Sequence, residues 1–176
     1  MSCSIDRGLR IADLCRDGFG GANRLFIGEY FSEFSPGLTG SYGNVIESWG
    51  SATPSFYIFE QGDEVMSFTV PGEFTNTNAF WRPAVTMQIP QMTDINNGLA
   101  QTIARGAWFI IVEDNSGKYW FLNRKKPMRV TEGTAGTGQA ATDDNGITLT
   151  LSAASRELPL EVDPDLMVAP VIVPFP

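Results

Sequence analysis

The sequence predicts a mainly β fold, a sandwich or barrel flanked by one helix, and three observations carry that reading. Short runs rich in aromatic and β-branched residues recur between clusters of Gly, Pro, Asn and Asp. Helical spacing with signals at both ends occurs in one stretch, Thr93 to Gly106, which places a single helix at about 93–105. The run Ala107 to Asn123 reads as two strands around Asp114-Asn115-Ser116-Gly117, a β-hairpin.

That hairpin organises the rest. Its first strand, Trp108 to Val112, is apolar at every position, the pattern of a strand that meets water on neither face. One face belongs on the domain's own core. The other needs a second cover, from the protein's own helix or from a neighbouring subunit. Trp108, Ile110 and Val112 are therefore candidate contacts between subunits.

In chain order, residues Met1 to Gly21 are mixed and polar and close on a Gly pair, a sharp turn or a close backbone approach. Asn23 to Phe31 reads as the first strand, with a bulge at Gly28. Ser32 to Ser55 is loop-like, because Pro36, Gly37, Gly40, Gly43, Gly50 and Pro54 break every period. A loop that long predicts a functional extension, or a stretch ordered only against a partner. Phe56 to Phe59 and Val65 to Val70 suggest a second hairpin around Gln61-Gly62-Asp63. Asn76 to Asn78 is a turn. Phe80 to Ile89 continues as a strand that sets Val85, Met87 and Ile89 on one face.

Thr93 is placed to cap the helix, and Asp94 in the first turn suits its dipole. Ile95, Leu99, Thr102 and Ile103 form one narrow apolar face, and Gly106 stands where a left-handed terminator is expected. Beyond the hairpin come the basic cluster Arg124, Lys125, Lys126 and Arg129, then the small-residue passage Gly133 to Gly138. Asp143-Asp144-Asn145-Gly146 is a turn signal, and Ile147 to Leu151 alternates cleanly as a strand. From Leu158 onward Pro159, Pro164, Pro170 and Pro174 exclude a helix. The organisation is thus one domain over 1–162 and an extended Pro-rich arm over 163–176. The arm is too apolar for a solvated tail and should lie on its own domain or the next subunit, which makes Met167, Val171 and Val173 candidate contacts.

Composition narrows the function. Hydrophobic residues make up 43% of the 176 and charged residues 18%, enough for a full core with little charge marking permanently wet surface. The net charge of −8 argues against sequence-tolerant nucleic-acid binding, which takes a basic stripe. No apolar run approaches the ~20 residues of a membrane span, and the N-terminus lacks the plan of a secretory signal. A cytosol-like compartment is expected until assembly; a Cys3–Cys15 disulfide is geometrically possible, and a reducing cytosol favours free thiols over it.

Without histidine, zinc sites of the usual kinds and Ser-His-Asp or Cys-His machinery are out of reach. Gly133 to Gly138 lacks the Lys-Ser/Thr of a phosphate loop, and the Asp143 turn lacks the ligand spacing of a calcium loop. Trp81, Trp108 and Trp120 are expected in the core. The expectation is a chain with no catalytic, cofactor-binding or metal-binding residues, and not an enzyme. Residues 51–100 hold five acidic side chains against one basic. Glu60, Asp63, Glu64 and Glu73 are candidates for an acidic, lumen-facing rim. Arg124, Lys125 and Lys126 are candidates to pair with acids on a neighbour.

Cys3-Ser4-Ile5, Cys15-Arg16-Asp17 and Gly20-Gly21 resemble the N-terminal pattern of small virion proteins from tailed bacteriophages. So do Val112 to Gly117, Gly133 to Gly138, and Asp144-Asn145-Gly146 before an alternating strand. Within that group the chain is most similar to the major tail-tube proteins of long-tailed phages, most strongly over residues 3–21 and 107–162. Residues 32–55 and the C-terminal arm are not covered. The resemblance implies a β-sandwich or barrel with one flanking helix, joined to copies of itself in hexameric rings. Those rings would stack into a hollow virion tail, assembled in the host cytoplasm, that conducts DNA without binding it specifically. Sheath, terminator and baseplate proteins are further implied partners. The alternatives are a head–tail connector, tail-terminator or baseplate ring, and a carbohydrate- or receptor-binding module using Trp49, Trp81 or Trp120.

Overall fold

Both faces of the strand at Trp108 are covered by the chain itself. The computed structural model describes residues 21–61, 66–137, 145–168 and 172–173. Among them the chain forms β1 (Ala22–Glu29), β2 (Gly37–Thr39), β3 (Val45–Ser48), β4 (Phe56–Glu60), β5 (Ser67–Thr69), β6 (Gly72–Phe74), β7 (Ala79–Trp81) and β8 (Ala84–Pro90). Helix α1 (Asp94–Arg105) follows, then β9 (Trp108–Asp114), β10 (Tyr119–Phe121), β11 (Arg129–Gly136), β12 (Gly146–Ser152), β13 (Leu160–Val162) and β14 (Ile172–Val173). The large sheet runs β14-β4-β1-β9-β10-β13-β3-β2, and a smaller one runs β11-β12-β8-β5. Strands β6 and β7 form a separate two-stranded hairpin.

Side chains alternate across a strand, and here both alternating sets are apolar. Leu25, Ile27, Ile110 and Val112 point into a core shared with Val85, Met87 and Ile89 of β8 and Ile147, Leu149 and Leu151 of β12. Ala100 and Ile103 of α1 belong to the same cluster. The opposite set, Phe26, Phe109, Ile111 and Phe121, enters a second, largely aromatic core. The two sheets therefore pack face to face, and the mainly β expectation is met.

The cover of the second face comes from the stretch expected to be a long loop. Residues 32–55 instead carry β2 and β3, and β3 joins the large sheet by pairing parallel to β13. Phe34 of this segment lies nearly parallel to Phe121 at 5.4 Å and 4.9 Å from Phe109. Trp49 is buried beside them. The stretch is ordered against its own domain.

The expected hairpin around Gln61 does not form. β4 pairs with β1 in the large sheet, whereas β5 pairs with β8 in the small one, so this part of the chain crosses between sheets. The single strand expected over Phe80–Ile89 is split at Arg82-Pro83, with β7 turned onto β6 and β8 onto β12. The Asp143-Asp144 part of the last turn signal lies outside the described residues.

Helix α1 starts as expected, the Thr93 hydroxyl accepting from the Asn96 N–H at 3.2 Å. Its end differs. Gly106 has φ −80° and ψ −179°, an extended conformation open to any residue. Glycine is needed there for space, because a Cβ would fall inside the indole of Trp108. The buried face is Ala100 and Ile103. Ile95 is 80% exposed, and Leu99 and Thr102 also meet solvent.

The described part of the C-terminal arm, residues 163–168 and 172–173, folds onto its own domain. Pro164–Leu166 form one 3-10 turn, Met167 is buried in the second core, and β14 pairs parallel to β4.

Candidate subunit interface

The candidate contact residues divide sharply. Ile110 and Val112 have no exposed surface, so they are core residues and present nothing to a partner. The physical reason is that both face the core between the sheets, where β8 and β12 cover them. Met167 is withdrawn in the same way, 7% exposed, with the backbone carbonyl of neighbouring Leu166 accepting from Trp49 Nε1 at 3.4 Å. Trp108 is half-buried and its Nε1 donates to the Ile103 carbonyl at 2.8 Å, pinning the end of α1 to β9. Val171 lies outside the described residues, and Val173 stands opposite Tyr57 in the β14–β4 pair.

The basic cluster is engaged at home. Arg124 donates to both carboxylate oxygens of Glu157, from Nε at 2.9 Å and from Nη2 at 3.2 Å, and Lys125 Nζ lies 2.6 Å from the same group. Those Arg124 hydrogen bonds hold Glu157 below the usual carboxylate range, against the opposing effect of desolvation, with Lys125 adding to the lowering. The expected pairing with a neighbour's acids is thus replaced by pairing within the chain for these two. Lys126 remains exposed.

Of the acidic candidates, Asp63 and Glu64 lie outside the described residues. Glu60 ends β4, 3.4 Å from Arg24, which also reaches Glu113 at 3.4 Å. Glu73 sits on the β6–β7 hairpin and pairs with Arg82 at 2.9 Å. The two described acids stand in different sheets, each beside an arginine. Among the described residues no group of three or more His, Cys, Asp and Glu side chains gathers to hold a metal. No helix there is long and apolar enough to cross a membrane.

Comparison with protein families, curated proteins and solved structures yields no match to this chain. The interface has to be read from geometry.

Among the described residues, three surfaces are open. The first is the outer edge of β11, paired on one side with β12 and ending the small sheet on the other. Seven of its eight residues are exposed, Val130 being the exception. The second is the β6–β7 hairpin, where Phe74 is 64% exposed and meets Trp81 edge-on at 5.3 Å. Gly72 leaves room for both rings, since a Cβ there would crowd them. The third is an apolar groove between β4 and α1, lined in part by Tyr57, Phe59 and Leu99. Helical spacing places Ile95 and Leu99 on the buried face, yet both are exposed. Phe74 falls just outside the runs that signalled strands.

Proposed function

We propose that this chain is a self-assembling structural subunit of the phage tail-tube kind, joined to its copies through a sheet edge. The observation that carries the reading is the β11 edge. An eight-residue strand with no second neighbour among the described residues is a template for another strand. Its second half, Gly133, Thr134, Ala135 and Gly136, carries small uncharged side chains, and a backbone irregularity lies only near its start, between Val130 and Glu132. Soluble monomers usually blunt such an edge with Lys, Pro or a bulge along it.

A head-to-tail contact through this edge uses different surfaces on the two partners, so it closes a ring or grows a filament. The −8 net charge fits a channel that lets phosphates pass without adhesion. The buried β9 faces, the folded 32–55 segment and the docked arm lend no support to assembly, so the reading rests on the edge and the resemblance.

Electron microscopy and sedimentation of the full chain test it. Stacked rings or filaments are expected. Single closed rings would favour a connector, terminator or baseplate ring, and a monomer at every concentration overturns the proposal. Thr134→Lys with Gly136→Lys should abolish assembly while the circular dichroism stays that of the parent, since a Cβ on Gly136 meets open space.

Exposed Phe74 against half-buried Trp81 supports a second reading, a glycan platform on the hairpin. Trp49 is buried, and Trp120 is half-buried with its Nε1 bonded to Asp114 at 2.9 Å, which leaves Trp81 as the platform residue. Glycan-array binding by a monomer, lost on Trp81→Ala, would favour that reading.

A further inference from the structure

Charge is sorted along the strands at the centre of the large sheet. β10 is antiparallel to both β9 and β13, so the start of β9, the end of β10 and the start of β13 share one end. Arg105 stands just before β9, Arg124, Lys125 and Lys126 just after β10, and Arg156 just before β13. Arg129 joins them, its Nη1 donating to the Gly106 carbonyl at 3.4 Å. Six of the nine described lysines and arginines thus gather here, Arg24, Arg82 and Lys118 being the others, in a chain of net charge −8. The acids beside them, Glu29 and Glu157, are outnumbered, and Glu157 is already held by Arg124 and Lys125. Arg105, Lys126 and Arg156 are exposed and form no ion pair among the described residues. The loop that carries Lys126 is fixed, because Oδ1 of buried Asn123 accepts from the Lys125 and Lys126 N–H groups at 3.2 and 3.3 Å.

The opposite end is acidic. Asp163 leaves β13 with its N–H bonded to the Ile46 carbonyl at 3.0 Å, which sets it beside Glu47 of β3, the strand parallel to β13. Asp165 lies two residues on, in the turn capped by the Asp163 carboxylate. Glu47 and Asp165 are exposed, and neither they nor Asp163 has an ion pair among the described residues. Arg24 and Lys118, the described cations at this end, are engaged, Arg24 by Glu60 and Glu113 and Lys118 by Glu161.

Two ends of opposite sign on one chain complement a second copy of that chain, head to tail. Three uncommitted cations are too few for the basic track that nucleic-acid binding takes. We propose that copies of this chain dock end to end along these strands, the basic end of one subunit (Arg105, Lys126, Arg156) seated on the acidic end of the next (Glu47, Asp163, Asp165). The contact uses neither edge of the small sheet, so it stands or falls separately from the β11 reading.

Sedimentation of the full chain at about 0.05 M and about 0.5 M salt tests it. The parent is compared with Lys126→Glu/Arg156→Glu and Glu47→Lys/Asp165→Lys, each checked by circular dichroism for the parent's fold. Association of the parent should weaken about tenfold or more between the two salts. Each reversed chain alone should associate about tenfold more weakly than the parent at low salt. Their equimolar mixture should regain the parent's association, because one chain then has two acidic ends and the other two basic ends. Thr134→Lys/Gly136→Lys, blocked at the β11 edge, should keep the salt-sensitive association. A monomer in that variant at low salt would overturn the end contact and leave the edge reading standing. A mixture no stronger than its components would overturn it too, as would association indifferent to salt and to both reversals. Binding of a DNA duplex by a parent that does not self-associate, lost in Lys126→Glu/Arg156→Glu, would overturn it in favour of a nucleic-acid site.

Discussion

Gly106 and Trp108 occupy one space: the indole lies where a Cβ of residue 106 would stand, and its Nε1 donates to the Ile103 carbonyl at 2.8 Å. The pair thereby fixes how the last turn of α1 meets the first residue of β9. Gly106→Ala should cost about 1–3 kcal/mol through overpacking, measured by denaturant unfolding. Trp108→Leu in the same background should recover part of that cost. Strictly additive losses would show that the crowding does not arise from the indole.

Phe34 tests the claim that residues 32–55 belong to their own domain. Its ring contacts Phe31, Trp49, Phe109 and Phe121, at centroid separations of 4.9 to 6.1 Å. Phe34→Ala should cost roughly 3 kcal/mol in a monomer as fully as in an assembly. A loss of stability that appears only under assembling conditions would return the segment to the role of a partner-ordered extension.

The C-terminal arm gives the same kind of test. Met167 fills the second core and the Asp163 carboxylate accepts from the Asp165 N–H at 3.0 Å, holding the turn that carries it. Deleting residues 163–176 should therefore lower stability in the isolated subunit, and Met167→Ala alone should cost roughly 2 kcal/mol. An undiminished unfolding midpoint for the deleted chain would mean that the arm packs too loosely to matter.

What was legible in the sequence was local. Thr93, Asp94 and Arg105 mark the helix ends, and the alternation in Ile147–Leu151 and Val85–Ile89 gives two strands their buried faces. The misses share a physical cause, which is that partner choice is non-local. Val65–Val70 reads as the return strand of Phe56–Phe59 because it is next in sequence, yet Phe68 pairs with Val85 of the other sheet. In residues 32–55 the glycines and prolines hide three- and four-residue strands that gain stability only when paired across the fold. The apolar run at Trp108–Val112 correctly demanded two covers. Nothing local could say that Phe34 and Trp49 supply the second. The same holds for the interface residues: Arg124 and Lys125 look free until Glu157, some thirty residues on, is folded against them.

Glu157 offers a pH test with a definite sign. Arg124 and Lys125 lower its folded pKa from the ordinary 4.5. A carboxylate so depressed contributes stability above its unfolded value, and that contribution is lost as pH falls through the folded value. The pair is only about a quarter exposed, and its two-toothed geometry makes it stronger than a surface ion pair. At neutral pH Glu157→Gln should therefore be about 1 kcal/mol less stable than the parent chain. The difference should shrink once the pH drops below 4.5, where the parent's carboxylate takes up its proton and the glutamine variant has none to take. Unfolding curves of both chains across the acid range decide it. A gap that persists at the lowest pH would assign the loss to packing of the side chain and not to its charge.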